Sequence, residues 1–578
     1  METGKRYTKL FTFSAIFARI AAALFILIIF QNSTCAATRA EFLGALFSEL
    51  RYPMIDGSPL PADVPPSHKF AKIIGASVKY GLIPKAPFSP DTQIDRHGAV
   101  KLAIMMMGWG FEASLYESFE RLPDLGGSGD PLFFLASEMN PAAPKALLVD
   151  GDMILSDSGR DSLLSWVRNC VKMVRWNRVL SYGGVDLVIY RQGVAMPGVP
   201  NNSPKGGNPI ASPLCEPLFV VAIAANPSVV DARIAFAGPL GIGAGRALIT
   251  EISNTYDAIA AVNGGFFAEG RPLGTMLLDG LHAGKPLSGR SAVGWDNAGN
   301  LLVFGRGSAR IGVMTPRGFM EFSKFNVPPP PGEAALYSPG VMISAAGAPL
   351  DALEIVVQSG IVTVRREARE GNHMIPKDGF LILARGASRA LLDGLEPGAP
   401  VNITTDWETP AFSDCTNLIQ AGPMLIQNGL FINNPETFKP DILDKRHPRT
   451  IMGSDGSRTF WVVVDGRNSI HSRGATIEET RWIAKSLGLI NAINLDGGGS
   501  SQLIWRGVMM NWPSDGKERP LPYALLMMPK GTLMIPRNAP AYGGYENLDQ
   551  GEYGEWGPAT DAVDALIMDT YNPMNDVD

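Results

Sequence analysis

The chain has 578 residues, of which 46% are hydrophobic and 18% charged, an ordinary globular composition with room for two or three domains and a large core. Its net charge of −6 and the lack of a basic stripe exclude nucleic acid as a general partner. Four cysteines without metal-ligand spacing exclude a cysteine-based metal centre, and neither a metal nor a cofactor is expected.

In chain order, Lys5, Arg6 and Lys9 precede an apolar stretch whose uninterrupted part is residues 20–30. That run is short for a transmembrane helix and fits the core of a signal peptide, with the small residues Ser33, Thr34, Ala36 and Ala37 near the cleavage point. Residues 1–36 are therefore read as a signal peptide and the protein as exported, to the cell envelope, periplasm or cell surface. An uncleaved anchor over residues 10–30 is the alternative, at the cost of placing Arg19 at mid-membrane.

Residues 37–173 repeat themselves. A helix beginning at Thr38-Arg39-Ala40-Glu41 returns at Asp95-Arg96-His97-Gly98 and, more loosely, at Gly159-Arg160, at intervals of about 60 residues. Between the first two copies, residues 70–83 pattern as an amphipathic helix stopped by Gly81 and Pro84. The layout resembles S-layer homology repeats, although only the first copy keeps the Thr-Arg-Ala-Glu tetrapeptide. The resemblance implies contacts with an anionic cell-wall polymer through Arg39, Glu41 and Arg96; a helical packing module without ligand is the other reading.

Residues 174–217 read as a linker or the start of the next region, and residues 218–536 as alternating strands and helices with Pro/Gly loops. Strands are expected at 218–225, 232–237, 259–262, 354–357, 361–364, 380–384 and 460–464. Those at 301–304 and 311–314 follow a turn at 297–299 as in a hairpin. The whole is expected to be α+β, a mixed-sheet catalytic domain preceded by a small helical repeat module. Residues 537–578 read as an acidic tail. Cys35 falls near the cleavage point, and of the remaining cysteines Cys215 and Cys415 are the preferred disulfide pair.

The most informative stretch is Asn494-Leu495-Asp496-Gly497-Gly498-Gly499-Ser500-Ser501. A short buried strand delivers a carboxylate into a turn of glycines and hydroxyls, where consecutive N–H groups can form a nest for an anion. The Gly-Lys-Ser/Thr ending of a nucleotide P-loop is missing. A carboxylate beside such a nest suits chemistry on a sugar or phosphate ester; a tight structural turn capped by Asp496 is the plainer reading. Upstream stand Asn263-Gly264-Gly265, Gly289-Arg290-Ser291, Gln420-Ala421-Gly422-Pro423, His447-Pro448-Arg449-Thr450 and Asp465-Gly466-Arg467. In this order the set resembles the phosphodiester glycosidase family, over roughly residues 218–536.

That resemblance implies hydrolysis of the sugar C1–O–phosphate bond of a glycosyl phosphodiester. A phosphate leaving group needs little protonation, so the site must hold the diester anion and support an oxocarbenium-like carbon with a carboxylate nucleophile or base. Asp496 and Asp465 each follow a buried strand and are the candidate carboxylates, with Arg449 and Asn263 as further catalytic candidates. Arg290, Gly264, Gly265, Thr450, Arg467, Gly497, Gly498, Ser500 and Ser501 are candidates for binding substrate or phosphate. Arg449 or Arg467 in an ion pair with the aspartates, and Asn263 as a turn stabiliser, are the structural alternatives. Thr476 and Glu479 read as a capping box opening a helix over 477–487, which removes Glu479 from the chemistry. His447 and His471 show no partner in the sequence. An inert envelope-binding scaffold and a phosphodiesterase cutting the P–O bond are the other functional readings.

Overall fold

In the computed structural model the described residues are 36–534, apart from 121–129, 149–152, 204–215, 238–244, 297–301, 340–343, 346, 369–372 and 434–435. The expected signal core or anchor, Cys35, Cys215 and the tail 537–578 lie outside them. Among the described residues no helix is long and apolar enough to cross a membrane. The chain forms two units.

The first unit holds residues 36–178, Ile189–Phe219 and Gly466–Gly474. Its helices α1 (Arg39–Glu49), α2 (Arg96–Met106) and α3 (Asp157–Lys172) begin where the repeated motifs lie. Each start has a side-chain cap, Thr38 on the Glu41 amide, Asp95 on Gly98 and Ser156 on Gly159. The tetrapeptide at α1 is a capping box, since the Glu41 carboxylate accepts in return from the Thr38 amide at 3.1 Å. Single β-bridges, Thr38 to Gln93 and Asp95 to Ile154, set the three helix starts side by side. Three further helices among the described residues are Ala71–Lys79, Gly110–Glu120 and Pro131–Glu138, the last two unread from sequence.

The interior of this unit carries buried charge. Glu112, wholly buried, pairs with Arg191 at 2.8 Å and with His471 at 3.3 Å. Burial opposes the charge on Glu112, but Arg191 and His471 together hold its carboxyl below the usual range. The segment Gly466–Gly474 is thereby built into the unit. Arg473 donates to the carbonyls of Glu216, Pro200, Asn201 and Ser203, and the Ser472 hydroxyl accepts from the Phe219 amide at 3.1 Å.

The second unit holds Val179–Val188, Val220–Asp465 and the residues from Ala475 onward. Its main strands are β1 (Leu218–Ala225), β2 (Val230–Phe236), β3 (Ala260–Asn263), β4 (Ser291–Trp295), β5 (Asn417–Ala421) and β6 (Met424–Gln427). They continue with β7 (Arg449–Ser454), β8 (Thr459–Val464), β9 (Asn491–Asn494), β10 (Leu503–Trp505) and β11 (Tyr523–Pro529). An eight-stranded sheet runs Arg175–Tyr182, Val185–Gln192, β1, β8, β7, β9, β6, Leu430–Phe431. A five-stranded sheet runs Val508–Met509, β10, β3, β11, β2, and another places β4 and β5 side by side. Strands β1, β7 and β8 are buried along their length, as continuous apolar runs predict for covered strands. Residues between β4 and β5 add two smaller sheets around their own core of Leu336, Ile355 and Ile382.

The result is a mixed α and β protein, mostly sheet with several helices, in keeping with the α+β expectation. Residues 174–217, expected to be a linker or the start of the next region, contain the strands Arg175–Tyr182 and Val185–Gln192. The expected turn at 297–299 lies outside the described residues; β4 and Val303–Arg306 on either side of it pair antiparallel, while Ala309–Thr315 joins a different sheet. The apolar run after the turn looked the same in either pairing, because register depends on partners far along the chain.

Candidate active site

Strand β7 pairs antiparallel with β8 on one side and β9 on the other, so β8 and β9 point the same way. Val464 lies opposite Arg449 and Asn494 opposite Ile451, so Asp465 and Asp496, one and two residues further on, leave the sheet at the same edge. Both are buried, at 1% and 3% exposure. A buried carboxylate must be hydrogen-bonded. For Asp465, Oδ1 accepts from Asn511 Nδ2 at 2.8 Å and Oδ2 from the Trp512 amide at 2.7 Å. Asn511 also donates to Ser501 O and accepts from the Leu503 amide, which fixes the clamp to β10. For Asp496, Oδ1 accepts from the Gly497 amide at 2.9 Å.

Asn263 ends β3 and locks the Asp496 turn in place. Its Nδ2 donates to Asp496 O at 2.9 Å and Gly264 O at 3.1 Å. Its Oδ1 accepts from Thr450 Oγ1 at 2.8 Å and from the Gln502 amide at 3.2 Å. Two donors and two acceptor positions are the whole capacity of an amide side chain, and all are filled by the protein. Thr450 also bonds Ser501 Oγ at 3.1 Å, so Asn263, Thr450 and Ser501 form one buried network beneath the turn.

The glycine turn departs from the open anion nest expected of it. Residues Gly498–Ser500 form a 3₁₀ turn with Gly498 at φ +63°, a left-handed conformation that favours glycine. The Gly498 amide donates to Pro448 O, Ser500 to Gly497 O and Ser501 to Gly498 O. With the Gly497 amide on Asp496, the N–H groups of Gly497, Gly498, Ser500 and Ser501 are all engaged by the chain itself. The Ser500 hydroxyl, by contrast, is buried with no partner among the described residues. Gly264 is required for a steric reason, since a Cβ there would meet the Tyr523 ring at 2.1 Å. Gly265 backs onto Gln420 O, and the buried Tyr523 phenol sits against its backbone. Burial, with Asp496 nearby, pushes the Tyr523 pKa upward, so the phenol stays neutral.

The arginines divide by occupation. Arg449, 2% exposed, donates through Nε to Ala475 O and through Nη2 to the carbonyls of Ile442 and Lys445. These three acceptors are all backbone carbonyls. Arg290 precedes β4 and lies with its guanidinium 3.6 Å from the Phe438 ring centroid. Its Nη1 is buried without a partner among the described residues. Burial lowers the Arg290 pKa while Glu436 opposes that shift. Glu436 is itself held by Ser291 and by the Met424 amide, next to Gly422, whose amide donates to Asn494 O. A continuous chain of contacts thus runs from Arg290 to the strand that carries Asp496. Arg467, at φ +62°, belongs to the segment Gly466–Gly474 of the first unit.

Glu479 caps α4 (Ile477–Ser486) through Thr476 as expected, and is also held by Arg446, Nε at 2.9 Å and Nη2 at 2.9 Å. The Arg446 pair went unread because its members are far apart in sequence. The same applies to Asn511, Trp512, Tyr523 and Phe438, none of which carries a local signal. His447 bonds the Asp441 carbonyl at 3.2 Å. Cys170 and Cys415 are free buried thiols, and Cys215, the expected disulfide partner of Cys415, lies outside the described residues. Of the wall-binding candidates, Arg39 donates to Phe88 O at 3.0 Å, Glu41 pairs with Lys69 at 2.8 Å and Arg96 reaches Ala146 O at 3.4 Å.

Among known proteins, a 79-residue stretch is 46% identical to the SPbeta prophage-derived uncharacterized protein YomE of Bacillus subtilis (strain 168), covering 13% of this chain and 12% of that relative. The chain therefore spans about an eighth of that protein's length. A hypothetical protein from Synechocystis aligns over 62% of this chain and 78% of its own at 22% identity, TM-score 0.46. The catalytic domain of zebrafish N-acetylglucosamine-1-phosphodiester alpha-N-acetylglucosaminidase, auto-inhibited by its pro-peptide, aligns over 61% of this chain and 88% of its own at 15% identity, TM-score 0.31. A name for the site comes from the family comparison: residues 351–528, the stretch containing Arg449, Asp465 and Asp496, match the phosphodiester glycosidase family, which implies a hydrolase of the glycosidase or phosphodiesterase type.

Proposed function

We propose that this protein hydrolyses a glycosyl phosphodiester at the sugar C1–O bond. Water adds to C1, the phosphate monoester departs with the bonding electron pair, and the proton from water passes to the medium through a carboxylate. The observation that carries the assignment is the emergence of two buried carboxylates, Asp465 and Asp496, from parallel strands at one sheet edge. Asp465 has both oxygens fixed by N–H donors, which aims the carboxylate, as a group that supports an oxocarbenium-like carbon must be aimed. Asp496, in the glycine turn, is the nucleophile or base.

The diester anion needs a donor the fold has not already used, and Arg290 supplies one in Nη1. Arg467 is the second cationic candidate. We assign Asn263, Thr450 and Arg449 to positioning, because their hydrogen bonds hold the Asp496 turn and the start of β7. Gly264, Gly265, Gly497 and Gly498 allow close packing there, Ser501 braces the turn through Thr450, and the Ser500 hydroxyl is the candidate for the substrate. Export to the cell envelope, and retention on an anionic wall polymer through Arg39, Glu41 and Arg96, belong to the same proposal. A synthetic sugar-1-phosphodiester tests the reaction: free sugar with an intact phosphomonoester is the expected product pair. Inorganic phosphate or a sugar phosphate as the first product would contradict it.

A further inference from the structure

The chain that follows the Asp465 clamp returns to the glycine turn of Asp496 and lays an ion pair on it. Arg519 closes on Asp515 with Nε and Nη2 each 2.7 Å from the single oxygen Oδ2. The pair sits against Gly499, three residues after Asp496, where an added Cβ would collide with Arg519 Nη2 and with both Asp515 oxygens. The buried Gln502 side chain ties this arrangement together, donating through Nε2 to Gly499 O at 3.3 Å and to Arg519 O at 3.1 Å. The adjoining Glu518 carboxylate accepts from the Thr250 amide at 2.7 Å and from its hydroxyl at 2.8 Å. The backbone at 518–519 is thus anchored without the ion pair, while both paired side chains stay open to solvent, Arg519 at 39% and Asp515 at 29% exposure.

Two properties of the pair suit it to an incoming anion. A guanidinium fork matches two acceptor oxygens side by side, yet here two of its N–H groups share one. A partly exposed ion pair also holds weakly, so a competing anion can open it. We propose that Arg519 binds the phosphodiester of the substrate and that Asp515 is a resident counter-anion which the diester displaces. Carboxylate and phosphate compete for one fork on one face of the glycine turn, and the phosphate can offer an oxygen to each N–H. This rests on the glycosyl phosphodiester assignment above and adds a cation on the turn of Asp496 itself. The bound phosphate is thereby tied to the segment that carries a reacting carboxylate.

Binding of dimethyl phosphate, a diester anion without a sugar, to the full-length protein tests the site by ligand-observed NMR. Asp515→Asn removes the competitor and is expected to tighten binding about fivefold. Arg519→Gln removes the fork and is expected to weaken binding at least about tenfold. Opposite signs are the signature of competition, because a pair that only braced the loop would lose binding in both variants. The sign for Asp515→Asn decides alone should Arg519→Gln not fold. Unchanged or weaker binding in Asp515→Asn would overturn the proposal, as would parent-like binding in folded Arg519→Gln or absence of binding to the parent. The reaction assignment falls separately: a protein that binds dimethyl phosphate with these opposite signs but cleaves no glycosyl phosphodiester keeps the anion site and loses the reaction.

Discussion

Asp496 accepts the Gly497 amide through one oxygen, a bond that an asparagine Oδ1 can also accept, so Asp496→Asn removes charge while keeping shape. Turnover is expected to fall at least about a thousandfold with a melting temperature within a few degrees of the parent. Kinetics on purified, folded variant protein check this, and unchanged turnover would remove Asp496 from the chemistry. Glu479→Gln tests the opposite kind of residue. Gln can serve the capping box, but it leaves Arg446 buried without its counter-charge, and the expected cost is about 3 kcal/mol of stability with turnover retained. Denaturant titration beside a rate assay reads both, and lost turnover in the folded variant would make Glu479 part of the mechanism. The cap was legible from four consecutive residues; the Arg446 pair was not, since nothing local marks a partner 33 positions away. The glycine turn was likewise legible as a turn, yet its amides are engaged by carbonyls such as Pro448 O, which only the fold brings near.

At the scale of elements, strand Leu281–Gly284 carries a pH dependence. His282 is buried, with Nε2 at 2.8 Å from Thr405 Oγ1, and burial pulls its pKa down to about 4. Above the ordinary value of 6.5 the ring is neutral in both folded and unfolded chains. As pH falls from there toward 4, the unfolded chain takes up a proton that the folded one refuses, so stability is lost, by up to about 3 kcal/mol. His282→Gln is expected to flatten the stability profile between pH 6.5 and 4.5, measured by denaturant midpoint; parallel profiles would show that His282 titrates normally. Strands β1, β2, β3, β8 and β9 were legible as apolar runs, and Asp465 and Asp496 followed from the same pattern, whereas β4 to β7, β10 and β11 went unread. Which strands pair was not legible. The parallel alignment of β8 and β9 depends on β7 lying between them, a fact of topology rather than of any local sequence.

At the scale of the whole molecule, every chemical motif lies beyond residue 260, which by itself predicts a front of the chain dispensable for turnover. The segment Gly466–Gly474 changes that expectation. It follows Asp465 directly, carries Arg467, and is held within the first unit by Arg473 on four carbonyls and by His471 at the buried Glu112. A fragment starting at residue 218 loses those supports and is expected to turn over a small soluble diester at least about tenfold more slowly, with new protease sensitivity at 466–474. Parent-like rates for the fragment would show that the segment holds its conformation unaided. The proposed reaction breaks the bond between the sugar C1 and the phosphate oxygen. Hydrolysis of a sugar-1-phosphodiester in ¹⁸O-labelled water, with the products weighed by mass spectrometry, tests it most directly: cleavage at C1 is expected to place the heavy oxygen in the sugar, and finding it in the phosphate would contradict the assignment.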